Sequence, residues 1–287
     1  MGAVHHPPIT EVRRVVAAAL AEDLAPLGDI SAGLLPPSAT ATAIFVPRAD
    51  GVLAGTACAT ETFAQLDPTV TVEWDADDGD RAAAGVILGT VTGPLASILT
   101  GERTALNFLN HLSGVASLTR RFVDAAAAAG GSAKVWDTRK TTPGLRSLEK
   151  AAVRAGGGWN HRGNLSEWVM FKDNHLTEMT IEEAVRAARA QWPARTIQVE
   201  ADSLEKVAAA LAAGADAILL DNLGVDGVRD AVALADAHGL DRPLLEASGQ
   251  ITLDTIGLYA DTGVDVISTS QITISAPVLD IGLDIEP

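Results

Sequence analysis

The sequence predicts an α/β protein: a mixed α+β first part, then a parallel barrel of the β/α type. Two observations carry this reading. Short apolar runs alternate with alanine-rich amphipathic stretches through the second half of the chain. Each run is followed at once by polar residues. Alternating strand and helix builds parallel sheets with right-handed crossovers, and a barrel of that kind gathers its chemistry at the C-terminal ends of its strands. An open doubly wound sheet meets the same alternation and stands as the competing architecture.

Taken in order, Thr10 is placed to cap a helix carrying Val12, Val15, Val16, Ala19 and Leu20 on one face, ending before the turn at 26–29. Residues 41–47 and 51–56 read as short strands about the turn at Ala49, Asp50 and Gly51. A helix follows at 57–66, then strands at 70–74 and 86–91 separated by an acidic turn at 75–80. Gly93 and Pro94 break the chain before a long helix over 95–129, in which the alanines at 125–129 are helix filler. The apolar runs of the second half are 133–136, 168–171, 197–199, 217–220, 244–245 and 264–267. Behind them come Asp137 with Arg139 and Lys140, Lys172 with Asp173, Glu200, Asp221, Glu246 with Ser248, and Ser268. Amphipathic helices are clearest at 181–190 and 204–213.

The 287 residues allow one large or two modest domains. With 47% apolar and 20% charged residues the composition is globular, and with 4% aromatics the core must be built from small aliphatic side chains. A net charge of −16 opposes binding to nucleic acid and to anionic membranes. No apolar run reaches the length of a membrane span, and the first eight residues lack the features of a secretory signal. The single Cys58 has no partner for an internal disulfide and sits in apolar context as inert packing, so a reducing, cytoplasmic compartment is expected.

Within this acidic chain, residues 139–172 hold seven basic side chains against Glu149 and Glu167. Such an island suits a small, multiply anionic ligand. Arg146, Lys150 and Arg154 fall at helical spacing and read as a solvated face. Arg139, Lys140, Arg162 and Lys172 fall instead at strand ends and loops. The glycine run at 156–158, ahead of Trp159, Asn160, His161 and Arg162, permits close backbone approach or positive φ but is no dinucleotide fingerprint. Glu200 and Asp221, at the ends of neighbouring strands, suit Mg²⁺ carried in by a phosphate ligand, or sugar hydroxyls, or plain helix caps. The histidines, His161, His175 and the pair His5 and His6, make no zinc pattern, and no serine–histidine–acid order occurs.

Seven ordered motifs then match a known family. They are Gly-Glu-Arg-Thr-Ala-Leu-Asn at 101–107, Thr-Arg-Lys-Thr-Thr-Pro-Gly at 138–144, the stretch from Gly156 to Arg162, Lys-Asp-Asn-His at 172–175, Val-Glu at 199–200, Leu-Asp-Asn at 220–222 and Glu-Ala-Ser-Gly at 246–249. The sequence resembles the quinolinate phosphoribosyltransferases, from about Glu22 nearly to the C-terminus. The resemblance implies an N-terminal α/β sandwich over 1–112 and an incomplete α/β barrel over 113–287, the last residues returning to the first domain. It implies dimers or assemblies of dimers, with Arg103 reaching the neighbouring subunit's site. Arg139, His161, Arg162 and Lys172 would bind pyridine-2,3-dicarboxylate. Lys140, Glu200 and Asp221, with Mg²⁺, would hold phosphoribosyl pyrophosphate; Lys140, Lys172, Glu200 and Asp221 would be the catalytic set.

The sequence departs from that family at the subsite for the 5′-phosphate, the region of Ser248 and Gly249. Gln250 and Ser270 replace glycines and Ile274 replaces a histidine, while Trp168 and Phe171 make the stretch at 164–171 bulkier than usual. Three readings follow. The first is an ordinary transferase with a variant phosphate grip. The second is a paralogue that decarboxylates the free acid without the donor, Lys172 or His161 protonating the ring. The third is a non-catalytic sensor of pyridine carboxylates.

Overall fold

The computed structural model describes residues 6–239 and 242–285; His5 and the start of the N-terminal segment lie outside them. In chain order the elements are α1 (Ile9–Leu24), β1 (Thr40–Pro47), β2 (Gly51–Val52), α2 (Thr56–Leu66), β3 (Thr71–Trp74), β4 (Arg81–Ala82), β5 (Gly89–Pro94) and α3 (Leu95–Ala128). Then come β6 (Lys134–Trp136), α4 (Arg146–Ala155), β7 (Val169–Phe171), α5 (Ile181–Gln191), β8 (Ile197–Ala201), α6 (Leu204–Ala212), β9 (Ala217–Asp221) and α7 (Gly224–Ala237). The chain closes with β10 (Leu244–Ser248), α8 (Ile256–Ala260), β11 (Val266–Ser268), α9 (Gln271–Ile274) and β12 (Ile281–Ile285). None of the described helices is long and apolar enough to cross a membrane. The chain forms two compact units, one of Met1–Arg120, Thr141–Gly157 and Ile272–Pro287, the other of Arg121–Lys140 and Gly158–Gln271.

In the first unit an antiparallel sheet runs in the order β12-β1-β5-β3. Its core gathers Phe45, Leu53, Phe63, Leu88, Ile98 and Leu109, and Phe45 stacks on Trp74 with ring centroids 4.7 Å apart. Several boundaries differ from the sequence reading. The strand expected at 51–56 stops at Val52, because Gly55 turns the chain at φ 100° and α2 begins at Thr56. The buried carboxylate of Asp78 accepts the N–H groups of Gly55 and Thr56 and the Thr56 hydroxyl, which satisfies the start of that helix. The strand expected at 86–91 begins only at Gly89, with Val86 and Ile87 exposed ahead of it, and Gly93 and Pro94 continue it against Ala41 and Thr40. Thr10 does not cap α1, which opens two residues earlier, at Ile9 behind Pro8.

The helix carrying Arg146, Lys150 and Arg154 does not present a solvated face. Glu149 and Lys150 are both buried, and the Glu149 carboxylate accepts from His111 Nε2 at 2.9 Å and from the Thr142 N–H at 3.1 Å. Spacing alone showed the stripe; the buried acid beside it turns the helix inward.

In the second unit the six strands are all parallel, in the order β6-β11-β10-β9-β8-β7. From β7 to β11 consecutive strands are neighbours, and β11, the last, pairs with β6, the first, so no strand order reverses. That is barrel topology and rules out the doubly wound alternative, whose sheet must have a switch point. The barrel is incomplete at one seam, between β6 and β7. There the segment after α4 stands in for a strand: Trp159 bridges Trp136, its N–H donating to Val135 O while its carbonyl accepts from the Asp137 N–H. Side chains alternate along a strand. Ile197, Val199, Ile218, Leu220, Leu245 and Ala247 therefore pack as one buried face, and the intervening Gln198, Glu200, Leu219, Asp221, Glu246 and Ser248 take the other.

Burial pushes the Cys58 thiol up to about 12, with Asp78 and Glu61 adding to the effect. The folded state thus binds that proton more tightly than the unfolded chain does. Its contribution is complete below the unfolded thiol's range and is lost as pH rises toward the folded value. At pH 8 the native protein is expected to resist aromatic disulfide reagents and to react fully once unfolded in urea. Rapid labelling of the native chain would contradict the buried placement.

Candidate active site

The C-terminal ends of the six parallel strands open on a cavity of about 340 Å³. Its geometry begins with Asp137, fully buried just beyond β6. One carboxylate oxygen accepts the His161 N–H at 2.8 Å and the other accepts Asn160 Nδ2 at 2.7 Å. This ties the seam segment to β6 and delivers His161 and Arg162 to the cavity wall. The glycines ahead of them serve packing and turning. A Cβ on Gly156 would lie 2.4 Å from Ala116 O, and Gly157 turns at φ 83°.

His161 is held on all sides. Nδ1 accepts the Arg162 backbone N–H at 2.7 Å, so the ring proton sits on Nε2, facing Gln198 Oε1 at 3.2 Å and Glu246 Oε2 at 3.1 Å. Trp168 packs on the ring with centroids 4.8 Å apart, and Trp136 meets it edge-on at 5.8 Å. Arg162 is buried too, its guanidinium donating to Trp168 O at 3.3 Å and to Met170 Sδ at 3.1 Å. Burial, and then the like charge of Arg139, pull that guanidinium below its ordinary range, against the opposing pull of Glu246. Two cations pressed together in a cleft favour an anionic occupant.

The acidic side stands on the next strands. Lys172, beyond β7, donates to Glu200 Oε2 in a tight ion pair. Asp221 at the end of β9 accepts from Asn222 Nδ2 at 2.9 Å and lies opposite Ser248. Asn222 has φ 56°, and Gly249 beside it has φ 138°, with its absent Cβ only 2.6 Å from Asn222 Oδ1. Glycine is required at 249 on both counts. No group of three His, Cys, Asp or Glu side chains among the described residues is arranged to hold a metal.

Of the residues singled out in the sequence, Arg139, Lys140, His161, Arg162, Lys172, Glu200, Asp221 and Ser248 share this cavity. Gln250 is exposed, and it and Ser270 lie outside the lining. Ile274, on α9 in the first unit, is 54% exposed. Arg103, on α3 in the first unit, lines a separate cleft of about 230 Å³ with Glu22, Asp23 and His111. Gln198 is not singled out in the sequence, and Glu246 and Ser268 stand out there only as polar residues at strand ends, Glu246 also within a family motif. Their signal was present: each is a polar residue at an inward register of a strand buried on both faces.

The chain matches the family model described as "Quinolinate phosphoribosyl transferase, C-terminal domain" over residues 115–284 and the corresponding N-terminal domain over 29–113. It is 41% identical to the nicotinate-nucleotide pyrophosphorylase [carboxylating] of Mycobacterium leprae over 280 residues, 95% of this chain and 96% of that one. It is 40% identical to a probable enzyme of the same name from Bacillus subtilis, over 90% of this chain and 88% of that one. Among solved structures, the nicotinate-nucleotide pyrophosphorylase from Francisella tularensis superposes with a TM-score of 0.92 at 36% identity, covering 99% of both chains.

Replacing Asp137 by alanine removes the acceptor of the His161 N–H and of Asn160 Nδ2 next to the cavity. The expected cost is about 2–4 kcal/mol of stability, read from urea denaturation. A loss below about 0.5 kcal/mol, the ordinary scatter of neutral substitutions, would mean that this carboxylate does not anchor the seam.

Proposed function

The chain belongs to the quinolinate phosphoribosyl transferase family, and we propose that it carries out that family's reaction. Quinolinate and phosphoribosyl pyrophosphate give nicotinate mononucleotide, CO₂ and pyrophosphate, a step of NAD biosynthesis. The observation that carries this reading is the lining of one cavity, which brings the cations Arg139, Arg162 and Lys172 together with Glu200 and Asp221 at the strand ends.

The guanidiniums bind and orient the dicarboxylate, which frees the ring nitrogen to act as nucleophile, so no serine or cysteine is needed. The nitrogen bonds to the anomeric carbon as the bond to pyrophosphate breaks, through a cationic, oxocarbenium-like transition state. Glu200 and Asp221 hold the sugar hydroxyls and stabilise that charge. A ligand carboxylate arriving at Lys172 competes with Glu200 for the ammonium, turning Glu200 toward the sugar. Mg²⁺ arriving with the donor's pyrophosphate would be held by Glu200 and Asp221 and would neutralise charge on the leaving group. Lys140 supplies a further cation for the phosphates. The ring's C2–carboxylate bond then breaks, its electron pair stays on carbon beside the cationic nitrogen, and a proton completes the product.

With quinolinate, the donor and Mg²⁺, nicotinate mononucleotide and CO₂ are expected together, and neither is expected without the donor. Arg139→Ala or Arg162→Ala should weaken quinolinate binding by about 2–5 kcal/mol in calorimetry. Release of CO₂ without the donor would favour the donor-independent decarboxylase instead. Binding without any turnover would favour the sensor.

The second part of this reading is a homodimer, or a higher assembly, acting in a reducing cytoplasm. Arg103 is exposed at a cleft that holds two acids, Glu22 and Asp23; we assign it to the pocket of a neighbouring subunit. Inactive Arg103→Ala and Lys172→Ala chains, mixed and allowed to exchange, should then regain activity, because each hybrid contains one site with both side chains intact. Exchange without recovery would confine Arg103 to its own subunit.

A further inference from the structure

Glu246 carries a carboxyl on the floor of the cavity with no exposed surface, and its two oxygens differ. Oε2 accepts Gln198 Nε2 at 2.7 Å and faces His161 Nε2 at 3.1 Å. Oε1 is buried and has no hydrogen-bond partner among the described residues. The hydroxyl of Ser268, at the end of the adjacent strand β11 and 2% exposed, is also unpartnered and lines the same cavity. Buried polar atoms left open in one cavity mark a place where a ligand completes the hydrogen bonding.

The charged groups around this floor are Arg162 and His161 from the seam, Arg139 and Lys140 after β6, the Lys172–Glu200 pair after β7 and on β8, and Asp221 on β9. A dicarboxylate drawn in by the guanidiniums meets the Glu246 carboxylate as well. Two ionised carboxylates do not share one hydrogen-bonding face; a single proton between them converts repulsion into a charge-assisted O–H···O⁻ bond. Both donors at hand already point at Oε2, so the place left for that proton is Oε1. His161 is not the alternative site, because a proton on Nδ1 would displace the Arg162 N–H that it accepts.

We propose that Glu246 takes up one proton when the dicarboxylate binds and presents it to the ligand from Oε1, with the Ser268 hydroxyl alongside. This rests on the quinolinate reading above and adds to it a group that recognises the ligand's charge state.

The test is calorimetry of quinolinate binding in buffers of different ionisation enthalpy. The unmodified protein should take up about one proton per site, and its affinity should fall up to about tenfold per pH unit as pH rises. Glu246→Gln, which offers a neutral N–H at the same place, should lose both the uptake and that slope. Quinolinate binding without proton uptake in the unmodified protein would overturn the inference and leave the proposed function standing. Undiminished uptake in a folded Glu246→Gln would put the proton elsewhere and overturn it as well. Failure of quinolinate to bind the unmodified protein would remove both. Should Glu246→Gln not fold, infrared difference spectra of the unmodified protein with ¹³C-labelled quinolinate decide the matter. A protein carboxylic-acid band is expected on binding, and its absence would refute the uptake.

Discussion

The buried carboxylate of Asp137 ties the end of β6 to the segment that carries Asn160, His161 and Arg162. The seam between β6 and β7 needs that tie. A closed barrel would fix its loops by strand pairing all the way round, but here the first and second strands of the parallel set do not pair. Two backbone bonds of Trp159 and two side-chain bonds from Asp137 take over that function. From there the order passes outward: the His161 N–H is fixed, its ring is set against Trp168, and Nδ1 fixes the Arg162 N–H. Arg162 then finds Trp168 O and Met170 Sδ on the far side of the seam. One acid that never touches the cavity decides where its most buried cation stands.

The charges of the site make sense only together. In a chain of net charge −16, a desolvated guanidinium beside a second one stores repulsion that an anion relieves. The carboxylates on the neighbouring strand ends keep that cluster from becoming a general anion trap. Glu200 occupies Lys172, and Glu246 draws on His161 and Gln198. An incoming ligand has to match the cations and also displace or protonate the acids, which is a narrower requirement than negative charge alone.

The alternation of apolar runs and helices was readable because strands buried on both faces have no other way to look. The polar residues behind each run were readable for the same reason, since a parallel barrel has one functional face. What escaped lay where local pattern and tertiary packing disagree. Arg146, Lys150 and Arg154 have the spacing of a surface stripe, yet Glu149 is bonded to His111 and Thr142, partners distant or irregular in sequence. Residues 281–285, Ile-Gly-Leu-Asp-Ile, are too short a run to stand out in sequence and become β12 by pairing with β1. Gln198 and Glu246 are masked by the apolar residues around them. A two-residue step back from Glu200 or Ser248 along the inward face reaches each one.

The glycines separate two kinds of constraint that sequence patterns merge. At Gly249 the backbone itself demands glycine, because φ is 138° and a Cβ would strike Asn222. At Gln250 and Ser270, where the family pattern has glycine, φ is not positive; Asn222 is the only described non-glycine residue with positive φ. The fold is therefore indifferent to glycine at 250 and 270, and a side chain there costs the backbone nothing. Whatever those positions do is settled by what approaches the loops after β10 and β11.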